Sequence, residues 1–103
     1  MNLSFNEKVW ALTAKIPKGK VTTYKIIAEK LGTKAYRAVG AALAKNPYAP
    51  KVPCHRVVCS DGRVGGYNGS MDNKEKTRLL KKEGVKINNG KISHFKAGEI
   101  ISQ

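Results

Sequence analysis

Acidic residues are scarce in this 103-residue chain: 7 Asp and Glu stand against 20 Lys and Arg, a net charge of +13. So strong an excess in a small globular chain makes polyanions the natural partners, nucleic acid first and a membrane surface second. Long apolar runs are missing too, as are a basic amphipathic helix and an N-terminal apolar stretch of the export type. Their absence removes the membrane reading and leaves a soluble, intracellular, cytoplasmic protein as the expectation, held with the nucleoid or in the nucleus according to cell type. Cysteine is nearly absent: Cys54 and Cys59, with no export signal, read as free thiols rather than a disulfide. A zinc site would need four ligands, and Cys54, His55, Cys59 and His94 lack metal-like spacing, so neither metal nor cofactor is expected. Linker-like stretches, repeats and low-complexity tracts are also missing, so residues 1–103 are read as one domain. A domain of this size buries roughly two-thirds of its unfolded surface, which favours a shallow cleft over a large enclosed cavity.

What is present is mainly helical. Ser4 and Glu7 form a capping box, and Phe5, Val9, Leu12 and Ile16 recur at helical spacing until Pro17 and Gly19 stop the pattern. Thr23 can cap a short second helix carrying Ile27, Ala28 and Leu31 and ending at Gly32; Thr33 can cap a third. Two helices joined so tightly in a basic chain read as a helix-turn-helix, with Lys34 to Lys45 as the recognition helix. On that helix Ala35, Ala38, Val39, Ala42 and Leu43 are expected to form the apolar face, with Arg37, Gly40, Ala41 and Ala44 opposite. Asn46-Pro47 ends it, and Pro50 and Pro53 keep the chain extended up to Cys54. Val57 and Val58 suggest a strand, Gly62, Gly65, Gly66 and Gly69 a loop around Tyr67, and Asp72 with Glu75 a fourth helix running to Glu83 and closed by Gly84. Val85, Ile87 and Ile92 flank an Asn89-Gly90 hairpin turn. The expected fold is mainly α with small β elements, a single winged helix-turn-helix-like domain.

Chemistry centres on Cys54, followed directly by His55 and Arg56: a thiol becomes a good nucleophile where a base or positive charge favours its thiolate. By adjacency alone, a small buried hydrophobe beside a surface histidine is the commoner arrangement. Glu83 in the last turn of a helix opposes the macrodipole and invites a partner such as an imidazole, although on this ground alone a solvated carboxylate among Lys81, Lys82 and Lys86 is the stronger reading. The third helix offers Arg37 and otherwise small side chains, whereas base readout in the major groove needs long polar ones. A bare helix instead lets the backbone approach DNA closely, or packs on both sides. Enzymes that act on bases extrude the target nucleotide; Arg37 can brace the gap, and Tyr24 and Tyr67 are candidates for stacking or wedging.

These segments together resemble the O6-alkylguanine-DNA alkyltransferases: Pro53-Cys54-His55-Arg56-Val57-Val58, Arg37-Ala38-Val39-Gly40-Ala41-Ala42 before Asn46-Pro47, Gly19 to Tyr24, and Gly65-Gly66-Tyr67-Asn68-Gly69 fall in family order. The likeness runs from Phe5 to Val85. It implies Cys54 as alkyl acceptor, His55 as a base acting through water, Glu83 as the group that orients His55, and Asn46 as the tie between recognition helix and active-site turn. It further implies that Arg37 replaces the flipped guanine, that Tyr24 pushes the phosphate and protonates the leaving base, and that Val64 to Asn68 contact the lesion. Thr23, Ala38, Gly40, Ala41, Arg56 and Val57 join them as DNA- or base-contacting positions. The implied partner is double-stranded DNA carrying O6-alkylguanine, with O4-alkylthymine as a further substrate, bound by a monomer through the minor groove, with cooperative binding open. Family members usually carry an extra N-terminal domain, so a minimal form of lowered stability or affinity is expected. Asn68 stands where the family commonly has a serine or similar small residue, and the Gly69 to Glu83 spacing runs about two residues longer than in some relatives. Two rivals remain: alkyltransferase-like proteins that bind lesions without repair and typically carry tryptophan at the reactive position, and a helix-turn-helix transcription factor, which leaves Pro53 to Val57 without purpose.

Overall fold

The computed structural model describes residues 3–48, 51–66 and 73–93. Helix α1, Phe5–Thr13, starts on the expected capping box: the Ser4 hydroxyl accepts from the Glu7 N–H, and the Glu7 carboxylate accepts from the Ser4 N–H. It ends one turn earlier than the apolar spacing suggests, and Ile16 reaches the core from the turn that follows. Strand β1, Thr22–Thr23, leads directly into α2, Tyr24–Lys30, whose first turn is capped by the Thr23 hydroxyl accepting from the Ile26 N–H. Gly32, at φ +74°, supplies the left-handed residue that closes α2 and turns the chain into α3, Tyr36–Ala44.

Two expectations about α3 are corrected. Thr33 does not cap it: its hydroxyl accepts from the Ala35 N–H in a local turn, and Ala35 takes the N-cap position with no side-chain bond. The apolar face is narrower than expected, because Val39, Ala42 and Leu43 are buried while Ala35 and Ala38 are exposed. An alanine carries too little apolar surface to decide by itself which way a helix rotates.

A short 3-10 turn, Cys54–Arg56, precedes β2, Val57–Val58, which pairs in parallel with β1 in the register Thr22 to Val57 and Thr23 to Val58. Successive strand residues point to opposite sides. Val57 accordingly enters a core with Val9, Ile27, Val39 and Leu43, and Val58 a second core with Val64, Leu80 and Val85. Helix α4, Lys74–Lys82, begins at Asn73, which makes no capping side-chain bond; the expected cap, Asp72, lies outside the described residues. Glu83 is its C-cap, and Gly84 at φ +92° closes it as expected. Strands β3, Ile87–Asn88, and β4, Lys91–Ile92, form the hairpin wing around Asn89 and Gly90, both at positive φ as a type I′ turn requires. Mainly helical with small strands, the fold is the expected winged helix-turn-helix. No described helix is long and apolar enough to cross a membrane.

Candidate active site

The segment between α3 and β2 is tied down at Asn46. Its Nδ2 donates to the Val52 carbonyl at 2.9 Å and its Oδ1 accepts from the Tyr48 N–H at 2.9 Å, while the Cys54 N–H donates to the same Val52 carbonyl at 2.8 Å. One side chain thus links the end of the recognition helix to the turn bearing Cys54. Cys54 is 5% exposed and His55 only 2%, so the histidine is not the surface group that adjacency alone favours.

Glu83 resolves what the histidine is doing. Its Oε2 lies 3.0 Å from His55 Nε2, while Arg56 donates to Glu83 Oε1 at 3.0 Å and to Oε2 at 2.6 Å. Partial burial opposes ionisation of Glu83, but the hydrogen bonds from Arg56 and His55 outweigh it and hold the carboxyl at about 2. A carboxylate can only accept, so His55 carries its proton on Nε2. Burial lowers the imidazole titration despite the raising effect of Glu83, and the cations Arg56 and Lys76 lower it further. His55 is therefore neutral near pH 7, and its Nδ1, buried and without a partner among the described residues, presents a lone pair.

Tyr24 and Cys59 leave the β1–β2 pair on the same side. Gly65, at φ +78°, packs between them: a Cβ there would lie 3.1 Å from Cys59 Sγ, 3.7 Å from the Tyr24 hydroxyl and 3.8 Å from Lys76 Nζ. Burial and the charges of Cys59 and Cys54 push the Tyr24 phenol up to about 12. Beside this cluster opens a cleft of about 550 Å³ lined by Tyr24, Tyr36, Cys59 and the cations Lys25, Lys34 and Arg63.

Cys54, His55, Glu83 and Asn46 are thus brought together, with Tyr24 near the thiol. Arg37, Ala38 and Ala41 are exposed on α3. Arg56 directs its guanidinium inward, to Glu83 and to the Ile16 carbonyl at 2.7 Å. Val57 and Val64 are fully buried in the two cores. Thr23 is buried as the α2 cap, and Gly40 is half-buried on the Tyr24 side of α3, where an added Cβ would lie 4.0 Å from the Tyr24 ring carbons. Tyr67 and Asn68 lie outside the described residues, as does His94, and the described residues contain no cluster able to hold a metal. Sequence reasoning missed Lys76, fully buried beside Tyr24; a lysine in a helix as polar as α4 gives no signal that it turns inward.

The pattern that defines the 6-O-methylguanine DNA methyltransferase DNA binding domain matches residues 4–85. The chain belongs to this methyltransferase family. Over 83 residues it is 52% identical to the methylated-DNA–protein-cysteine methyltransferase of Saccharolobus islandicus, covering 81% of this chain and 52% of that one. The structure of the Mycobacterium tuberculosis OGT in complex with DNA superposes with a TM-score of 0.72 at 39% identity, covering 81% of this chain and 51% of that one. The S. pombe ATL in complex with DNA matches 100% of this chain and 99% of its own at 30% identity, with a TM-score of 0.75. The chain spans about half the length of the curated methyltransferase relatives it matches.

Proposed function

We propose that this chain repairs DNA by moving the alkyl group of O6-alkylguanine, with O4-alkylthymine as a further substrate, onto Cys54, once per molecule. The observation that carries the reading is the buried relay beside the thiol: an ionised Glu83 holds His55 as the Nε2–H tautomer, leaving Nδ1 free to accept a proton. Through a water, His55 takes the Cys54 proton; the thiolate attacks the alkyl carbon, the carbon–O6 bond breaks, and its electron pair leaves with guanine. Tyr24 donates its phenol proton to the departing base. The thioether is not reversed by ordinary cellular chemistry, so the protein is consumed.

Delivery of the base rests on α3. Its exposed Ala38, Ala41 and Ala44 allow close approach to the minor groove, and exposed Arg37 fills the stack left by the flipped nucleotide. The full-length likeness to the S. pombe ATL favours a second reading, lesion binding without transfer. Cys54 beside a complete relay favours transfer.

The two separate on incubation with duplex containing O6-methylguanine, digestion and weighing of the Cys54 peptide. A gain of one methyl, absent in Cys54→Ala, is the expected result. Tight lesion binding with no mass gain overturns the reading in favour of the second.

A further inference from the structure

Tyr36 is the first residue of α3, stands directly before Arg37 and is 52% exposed. Among the described residues its ring stacks on no other ring and its hydroxyl makes no hydrogen bond. A lone exposed tyrosine needs no explanation by itself. This one, however, lines the cleft of about 550 Å³, together with Lys25, Lys34 and Arg63 and a single carboxylate, Glu29. Arg63 is engaged only in an exposed ion pair with Asp61, which a stronger anion displaces at little cost.

The cleft adjoins the thiol through Tyr24. That side chain lines the cleft and packs against the core cluster that holds Cys54, and Cys59, across Gly65 from the Tyr24 hydroxyl, lines the cleft as well. In a nucleic-acid strand the sugar–phosphate chain holds neighbouring nucleotides one backbone step apart. A strand with its flipped base at Cys54 therefore has a neighbouring nucleotide within reach of the cleft. The space suits a sugar–phosphate unit better than a bare phosphate. Three cations match the phosphate charge, and a flat ring adds an apolar face for the sugar, which an ammonium cannot offer.

We propose that the cleft receives the sugar–phosphate unit next to the flipped nucleotide on the lesion strand, with the Tyr36 ring packed on the sugar and Lys25, Lys34 and Arg63 around the phosphate. Such a contact rests on the flipping and transfer reading above, and it adds a second holding point beside Arg37. Arg37 fills the gap inside the stack, while Tyr36 grips the strand from outside it, so the extrahelical state is held from both sides. A sugar is the same at every position, so the contact carries no sequence information.

The test compares the intact chain, Tyr36→Phe and Tyr36→Ala in affinity for duplex containing O6-methylguanine and in single-turnover methyl transfer, both from that duplex below saturation and from free O6-methylguanine nucleoside. Tyr36→Ala is expected to bind the duplex about tenfold more weakly and to lower the ratio of duplex to nucleoside transfer rates by a similar factor. Tyr36→Phe should keep the parental affinity and ratio, because the ring and not the hydroxyl makes the contact. Melting temperatures of the three should agree, since the ring is exposed. Independently, Lys34→Ala should reduce the logarithmic salt slope of duplex binding by about 0.9, one phosphate contact. Parental duplex affinity in Tyr36→Ala, equal slowing on duplex and nucleoside, as large a loss in Tyr36→Phe, or an unchanged salt slope in Lys34→Ala overturns the inference. Absence of any methyl on Cys54 in the intact chain sinks the transfer reading instead, and the duplex affinities then still decide the role of Tyr36.

Discussion

At the scale of single residues, the site is organised by one carboxylate. Glu83 accepts from both His55 and Arg56, so replacing it disturbs the tautomer of the base and strands a guanidinium that is mostly buried. Glu83→Gln is expected to slow Cys54 alkylation by about 10²-fold or more and to cost about 1–3 kcal/mol in urea unfolding. The pH dependence has a definite sign. His55 titrates below its ordinary 6.5 in the folded chain, so the unfolded chain binds the extra proton first and stability begins to fall as pH drops below that value. The Glu83 contribution is complete above its ordinary 4.5 and is lost as pH falls toward about 2. Melting temperature against pH should therefore decline in two stages on the acid side; a Glu83→Gln profile that keeps the second stage would contradict this. The sequence names Cys54 and His55 as neighbours, and the family resemblance supplies Glu83. That Arg56 turns inward was not legible, because its partner lies 27 residues away.

Among the elements, local signals decide more than rotational ones, Thr33 being the exception, since its hydroxyl accepts from the Ala35 N–H instead of capping α3. The Ser4 box, the Thr23 cap and the Asn89-Gly90 turn depend on residues two or three apart, where chain geometry alone decides who meets whom. The face of α3 depends on what α1 and α2 place against it, including the Trp10 indole that donates to the Ala42 carbonyl at 2.8 Å. Gly40 tests this packing. An added Cβ meets only Tyr24 ring carbons at 4.0 Å, ordinary contact, so Gly40→Ala should keep the fold and raise stability by about 0.5–1 kcal/mol through helix propensity. A loss of stability in thermal melts would mean that α3 sits closer to Tyr24 than this. Thr23→Ala, by contrast, removes a cap and should cost about 1 kcal/mol in the same measurement.

For the whole molecule, charge governs encounter with DNA. A net +13 on 103 residues predicts DNA affinity that falls steeply with salt, the logarithmic slope growing by about 0.9 for each phosphate contacted. Titrations at several salt concentrations measure it, and a flat slope would remove the electrostatic basis of the proposed interface. The sequence by itself determined the polyanion preference, the helix-turn-helix, the hairpin wing and the thiol with its adjacent imidazole, since each is set by composition or by contacts within a few residues. Only the tertiary structure decided that Arg56 serves Glu83, that Val57 and Val64 belong to two cores, and that Lys76 is enclosed beside Tyr24. Those outcomes follow from the parallel β1–β2 pair and from α4 closing over it. Which long polar side chains turn inward is settled by distant partners and by desolvation, and neither is written in local spacing.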